Sequence, residues 1–416
     1  MPFVDSHLHF WLLAHPGHEW PTPATLAGWT LADRARDIWV PTGRRGLDPR
    51  QLYVGPRLAQ RAHVQAPRTA FAFTTTAITI ADRKWHFPAS LPDQSRIEVE
   101  QTGFFTDRRD RVERISGETL WMQQPGWRNN LIGYDTLSRT LAADKGRLFF
   151  ANSLAFLHEP GQFFIDPESG KHYYKPRVDE NMTRLQAVLP RLEMLVSTAG
   201  SYDRPVADLD FVGIAFRHTS WLESSSAEGY ASQQSGSYLA GWIPDFPSDP
   251  IRDCSLGCWA FETRRNRWQQ QSAAVQAAAA TESRSNRPNL PSWGRSQCES
   301  AMIRRQTKAA WANVSQDYKE QAANLVTHAA GTIMTHNDIS GFPYDGIDVG
   351  WGWGTNDPGG SGAYRSRACG YYDQPGNHVH DTPTILRDTV VAGNRVHRVK
   401  TWFADGRAIY HLWKQP

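Results

Sequence analysis

The sequence predicts an all-β fold: a right-handed parallel β-helix, a solenoid, with an additional β-rich, β-sandwich-like domain ahead of it. Three observations carry that expectation. Short apolar runs are broken by Gly, Pro, Asn and Asp, without helical periodicity. One unit of apolar strand, Asn, apolar residue, bend, Asp-Gly and apolar strand occurs twice. The first half of that unit occurs at two further places.

Residues 332–357, TIMTHNDISGFPYDGIDVGWGWGTND, set the pattern. Ile333, Thr335, Asn337 and Ile339 alternate, Gly341 and Pro343 break the run, and Tyr344-Asp345-Gly346-Ile347-Asp348-Val349 resumes it, so two short strands meet at a bend. Residues 389–412, TVVAGNRVHRVKTWFADGRAIYHL, repeat this order. With Asn337 set against Asn394, Asp345 falls eight residues later and Asp405 eleven. The two Asp-Gly pairs then coincide if the second bend is three residues longer.

Phe211-Val212-Gly213-Ile214-Ala215-Phe216 matches Val391 to Val396 in apolar character, and Thr263 to Trp268 matches more loosely. These units start at 211, 263, 334 and 391, spacings of 52, 71 and 57 residues, so weak coils or large loops lie between them. In a parallel solenoid, equivalent positions stack about 4.8 Å apart, and an inward Asn is held by its neighbours' backbone groups. The competing arrangement is four hairpin strands of a sandwich.

A chain of 416 residues with net charge +3 and 21% charged residues is close to balanced, so no polyanion, and no nucleic acid, is implied as a partner. No cofactor is implied either. Seventeen tryptophans, 13 tyrosines and 18 phenylalanines exceed what a core of this size needs, and flat aromatic faces also stack on sugar rings. Any single aromatic residue serves equally well as core. No apolar run is long enough to span a membrane. The N-terminus has no basic region followed by an apolar core, so no signal peptide is visible. Sequons at Asn181 and Asn313 are compatible with secretion. Cys254, Cys258, Cys298 and Cys369 permit at most two disulfides and form no metal-binding array. Cys254 and Cys258 either close a small loop or remain two buried thiols. Nothing in the sequence sets an oligomeric state.

The order along the chain is an unassigned segment 1–27, a β-rich domain 28–150 and an incomplete parallel β-helix 151–416. Within the first segment, Val4 to Trp11 resembles the opening strand of metal-dependent amidohydrolases. His7 and His9 would point to one side of a strand, as chelation needs. The later histidines and alternating helices of such a barrel do not follow, so no metal is expected. From Gly28, GWTLADRARDIWV, RQLYVGPRLAQRA, the Thr-rich AFAFTTTAITIAD and the alternating stretch after Ser95 read as strands. AFLHEPGQFFIDPESGKHYYKPR (155–177) reads as two strands around an Asp-Pro-Glu-Ser-Gly turn.

The phrases GWTLADRARDIW, RQLYV, AFLHEPGQFFIDPESGKHYYKPR, DFVGIAFRHTSW, EGYASQQSGSY, GCWAFETRRNRW, DYKEQAA, PYDGIDVGWGWGTNDPGGS and FADGRAIY resemble those of right-handed parallel β-helix proteins allied to glycoside hydrolases, among them β-xylosidases, fucosidases and xylanases. The resemblance implies a carbohydrate partner, an extracellular setting and a carboxylic catalytic pair on neighbouring coils. It also implies further coils between GCWAFE and DYKEQAA, where the Arg- and Ser-rich residues 281–316 show little strand character. In place of that family's Asp-Gly-Gly stands Asp405-Gly406-Arg407.

Glycosidic hydrolysis needs one carboxyl group to protonate the leaving oxygen and another to attack or activate water, about 5 to 5.5 Å apart for retention and about 6.5 to 9.5 Å for inversion. Stacked equivalents on adjacent coils suit the shorter distance, and close carboxylates push one pKa up. Asp345 as nucleophile or base and Asp405 as acid form the candidate pair. Asp348 is the rival, facing away from Asp345 in an extended strand. Each Asp-Gly also reads as a plain turn.

Trp351 and Trp353, separated by glycine, present ring faces suited to substrate, with Tyr344, Lys319 and His380 as further substrate-binding candidates. Tyr371, Tyr372 and His378 share the loop with His380. Asp317-Tyr318-Lys319-Glu320 suits a groove edge or a solvated turn equally. The competing functions are a Ca²⁺-dependent polysaccharide lyase, a non-catalytic carbohydrate-binding β-helix, an amidohydrolase and an inactive fragment.

Overall fold

The structure, a computed structural model, describes residues 24–26, 28–41, 45–46, 48–87, 90–141, 146–199, 206–207, 210–212, 218–244, 246–262, 268–278, 280–281, 284–286, 305–307, 310–312, 316–326, 332–350 and 388–411. Within them the fold is all-β, and its α-helices are four or five residues long.

Residues 24–189 build two sheets. The first, of eight strands, runs in the order Ala24–Leu26, Ala187–Leu189, Leu52–Val54, Arg57–Arg61, Gln162–Asp166, Lys171–Tyr174, Ile38–Val40 and Thr30–Asp33. Its neighbours are antiparallel except where Arg57–Arg61 meets Gln162–Asp166. The second, of seven, runs His63–Ala66, Arg147–Ala151, Glu98–Thr102, Asp107–Ser116, Thr119–Met122, Ala77–Ile80 and Phe71–Phe73, antiparallel throughout. Alternation along these strands turns one face inward: Ile38 and Phe164 of the first sheet share a buried cluster with Ile78, Val99, Val112 and Phe150 of the second. The expected turn at 166–170 is present. The Asp166 carboxylate accepts from the amides of Glu168 and Ser169, and Gly170 takes φ +72°. Three strands beyond residue 150 belong to these antiparallel sheets, the last ending at Leu189.

From Val196 the chain pairs in parallel, apart from one inserted hairpin. Asp210–Val212, Arg284–Asn286, Arg305–Thr307, Ile333–Thr335 and Val390–Ala392 form one ladder. Ala310–Ala312, Asp338–Ser340 and Arg395–His397 form a second, and Asn324–Val326, Ile347–Val349 and Ile409–His411 a third. Val196–Ala199 and Val206–Ala207 pair in parallel with Val275–Ala278 and Ala280–Thr281. Rung by rung, Phe211 aligns through Ser285, Gln306 and Met334 with Val391, as the repeat predicts.

The copy of the repeat at Thr263 to Trp268 is described only at its last residue, and the expected lack of strand character in residues 281–316 fails. Residues 263–267 lie outside the described residues, and Trp268–Gln270 pairs antiparallel with Ser237–Leu239 instead of joining a ladder. The Arg- and Ser-rich stretch supplies three ladder strands, Arg284–Asn286, Arg305–Thr307 and Ala310–Ala312. Backbone pairing, on both sides for Arg284–Asn286 and Arg305–Thr307 and on one for Ala310–Ala312, holds such strands without the β-branched composition that marks an isolated one. Ladder positions 210, 284, 305, 333 and 390 are therefore 74, 21, 28 and 57 residues apart.

The Asn repeat is borne out in detail. The backbone N–H and the side-chain amide of Asn337 both donate to Asn394 Oδ1, at 2.9 and 2.8 Å, and Asn394 Nδ2 donates to the Met334 carbonyl at 2.8 Å. Met334, Ile339, Phe342, Ile347 and Val349 pack beneath them with Val391 and Val396. The bend that follows differs from expectation. Asp338 pairs with Arg395, an offset of 57, but Ile347 pairs with Ile409, an offset of 62, so the second bend is five residues longer, not three. Arg407, not Asp405, therefore stands at the rung position of Asp345.

Candidate active site

Four segments far apart in sequence meet between the antiparallel sheets and the ladders. They are the inserted hairpin Ala231–Gln234 with Ser237–Leu239, residues 317–321, the bend before Ile347–Val349, and the longer bend before Ile409–His411. Tyr230 exchanges backbone hydrogen bonds with Arg109 of the seven-stranded sheet, and Ser235 N donates to the Glu320 carbonyl, so the hairpin is fixed on both sides. Its turn is strained, with Gln234 at φ +111° and Ser235 at φ +50°. Cys254 and Cys258 form a disulfide within this insert.

Asp345 and Asp348 are both fully buried. The expectation that they face opposite ways is overturned: Asp345 lies in the bend, ahead of the strand Ile347–Val349, and its carboxyl group hydrogen-bonds that of Asp348. Such a bond needs a proton on one partner. No other donor among the described residues reaches Asp345 Oδ2 or Asp348 Oδ1. Ser235 Oγ donates to Asp348 Oδ2, and the Arg407 amide donates to Asp345 Oδ1. Burial, with a contribution from the charge of Asp405, pushes Asp345 up to about 7. Burial, then the charge of Asp345, pushes Asp348 well above the usual carboxylate range.

Asp405 is only partly buried. Its Oδ2 accepts from the Tyr344 hydroxyl at 3.1 Å and from Gln234 Nε2 at 3.2 Å, while no donor among the described residues reaches Oδ1. Gln234 Nε2 also donates to the Tyr344 hydroxyl. Burial, then the charge of Asp345, raises Tyr344 far above an ordinary phenol, so it stays a donor. The ring of Tyr344 is wholly buried against Phe403. This expected substrate contact is thus enclosed, and its hydroxyl meets Asp405.

Residues 317–320 are neither a solvated turn nor an open groove edge. Arg109 pairs with Asp317 at 2.8 Å and Asp107 at 3.1 Å, Arg50 with Glu98 at 2.6 Å and Asp317 at 3.2 Å, and Lys319 with Glu100 at 2.5 Å. Burial opposes the charge on Glu98, but Arg50 and Arg61 hold it down at about 2. Burial, reinforced by Asp107, raises Glu320 to about 8, and the Tyr230 hydroxyl donates to it. Lys319 lies 5.3 Å from the Trp402 ring centroid, on which Arg147 stacks at 4.2 Å.

The structure thus brings together Tyr344, Asp345, Asp348 and Asp405 and sets Lys319 beside Trp402. Trp351, Trp353, Tyr371, Tyr372, His378 and His380 lie outside the described residues, as do His7 and His9. Sequence reasoning missed Gln234, Ser235 and Trp402. Gln234 and Ser235 stand in EGYASQQSGSY, whose Ser-Gly signalled only a turn. Among the described residues, no group of three or more His, Cys, Asp and Glu is placed to hold a metal ion.

No protein-family model and no curated protein matches the chain. Its backbone superposes on the solved structure of a glycoside hydrolase with a TM-score of 0.55, over 80% of this chain and 65% of that one, at 18% sequence identity. The fold is glycoside hydrolase-like. The chain spans 65% of the length of that glycoside hydrolase, and at this identity the likeness concerns the fold alone.

Proposed function

We propose that the chain is a glycoside hydrolase acting on oligosaccharide or polysaccharide, and that Asp405 is the carboxyl group that meets the sugar. The observation that carries this reading is the partly exposed Asp405, organised by Tyr344 and Gln234 and backed by a buried carboxyl pair whose proton affinity burial raises. The glycoside hydrolase-like fold supports it. Asp345, which titrates near neutral pH, is the acid of the pair, and Asp405 is the nucleophile or base, the reverse of the roles drawn from the sequence. Gly406 and Arg407 cover Asp345, so it reaches a glycosidic oxygen only if the bend at 398–406 lifts.

The parallel ladders are read here as coils of a right-handed parallel β-helix, with the division from the antiparallel part between Leu189 and Val196. An extracellular setting fits the Cys254–Cys258 disulfide.

A second reading, a carbohydrate-binding protein without turnover, is favoured by the complete burial of Asp345 and Asp348. Hydrolysis of 4-nitrophenyl glycosides and of xylan by the wild type and by Asp405→Asn separates the two. The hydrolase reading expects turnover that falls at least about a hundredfold in the variant. Retention by polysaccharide with no turnover of any substrate would leave the binding protein.

A further inference from the structure

We propose that Phe104, at a hairpin tip of the seven-stranded sheet, is a sugar-stacking platform beside Asp405, so that the antiparallel part supplies one wall of the carbohydrate site. The ligand class, a pyranose of an oligosaccharide or polysaccharide, rests on the hydrolase reading; the placement of the Phe104 backbone against Asp405 does not.

The tip is built to hold its shape. Asp135, fully buried at φ +57°, accepts at Oδ2 from the amides of Phe104 at 2.6 Å, Phe105 at 3.2 Å and Thr106 at 3.3 Å, and from the Thr106 hydroxyl at 3.0 Å. Its Oδ1 accepts from Thr140 Oγ1 and Leu141 N. Gly103 admits this carboxylate, since a Cβ there would stand 2.1 Å from Asp135 Oδ2. A carboxylate that accepts this many hydrogen bonds fixes the loop through its backbone, and the Phe104 side chain is not needed to hold it. Phe104 is nevertheless 37% exposed.

Position separates Phe104 from an ordinary exposed apolar residue. Its carbonyl accepts from the Asp405 amide at 3.3 Å, which places the tip against the candidate catalytic bend. Trp402, in the same bend, lies under Arg147, whose strand partner is Thr102, two residues before Phe104. The five extra residues of the second bend thus carry both Trp402 and Asp405 to the end of the sheet where Phe104 emerges. An aromatic face there meets the apolar C–H face of a pyranose whose bond lies at Asp405.

The test uses the full chain carrying Asp405→Asn to suppress turnover, with native affinity electrophoresis in gels containing arabinoxylan, mixed-linkage β-glucan, xyloglucan or homogalacturonan. The expected result is retardation by at least one polysaccharide, weakened about three- to tenfold by adding Phe104→Ala and restored by Phe104→Trp. Retardation untouched by Phe104→Ala would overturn the proposal, as would no retardation in any of the four gels. Self-association that Phe104→Ala abolishes would overturn it too, because the ring would then face a second copy of the chain. A wild type that hydrolyses nothing, with Phe104-dependent retardation intact, would remove the hydrolase reading and leave the platform standing.

Discussion

The backbone amide of Arg407 donates to Oδ1 of Asp345, which ties the carboxyl group of one rung to the main chain of the next. Because the second bend is five residues longer, the side chain two positions earlier, Asp405, is carried out of the ladder to Tyr344 and Gln234. One length difference therefore separates a buried acid from an accessible one.

Gly406 makes that approach possible. It sits at φ +95°, and a Cβ would lie 2.4 Å from Asp345 Oδ1 and 2.8 Å from the Tyr344 ring. Gly406→Ala should destabilise the chain by about 2 kcal/mol or more, through backbone strain and the displaced carboxyl group together. Chemical denaturation measures it. A variant as stable as the wild type would show that the two rungs do not meet this closely.

The carboxyl pair gives stability a definite pH dependence. Folded Asp345 and Asp348 bind protons above the pH at which unfolded aspartate releases them, so the folded state carries the extra protons. Their contribution is full below about pH 4 and is lost as pH rises through about 7 and beyond, by about 1.4 kcal/mol per pH unit for each retained proton. Asp348→Asn supplies a donor that needs no proton. Its stability should match the wild type near pH 4, exceed it at pH 8, and fall less steeply by one proton's worth. Equal destabilisation at both pH values would rule out the shared proton.

How much of this was legible depends on what a residue type encodes. Asn337 and Asn394 were readable as partners because their strands keep one offset on both sides of the Asn, and a buried amide in a ladder must find a partner. The Asp-Gly match misled because bend length leaves no mark on composition: Asp345-Gly346 and Asp405-Gly406 are the same dipeptide in different rung positions. Gly346 at its bend answers to space alone, a Cβ there meeting the Ala408 carbonyl at 2.4 Å. The inward turn of Asp317 to Glu320 was not readable either, since its counter-charges Arg50, Glu100 and Arg109 lie over 200 residues upstream.

Lys319 tests that buried network. Burial works against its charge, but Glu100 and Asp107 raise its proton affinity, and Asp107 stands 3.9 Å away. Lys319→Met would leave two buried acids short of a counter-charge, at a cost of about 3 to 5 kcal/mol near pH 7. Part of that loss should return near pH 5 as Glu100 or Asp107 takes a proton. A loss under about 1 kcal/mol at pH 7 would place Lys319 in solvent, free for substrate as the sequence alone suggested.

The Asn ladder offers a test of stacking itself. Asn394→Ala removes the acceptor of two Asn337 donors and the donor to the Met334 carbonyl, and Asn337 is 1% exposed, so water cannot replace what is lost. The expected cost is about 2 to 3 kcal/mol. Asn337→Ala removes the side-chain half of the same contact, so the double variant should cost less than the two singles together, with a coupling of about 1 kcal/mol. Denaturant unfolding of the four proteins gives that coupling directly. Strict additivity would mean that the two amides do not touch, and the rung-by-rung pairing that carries Asp405 to Tyr344 and Gln234 would lose its anchor.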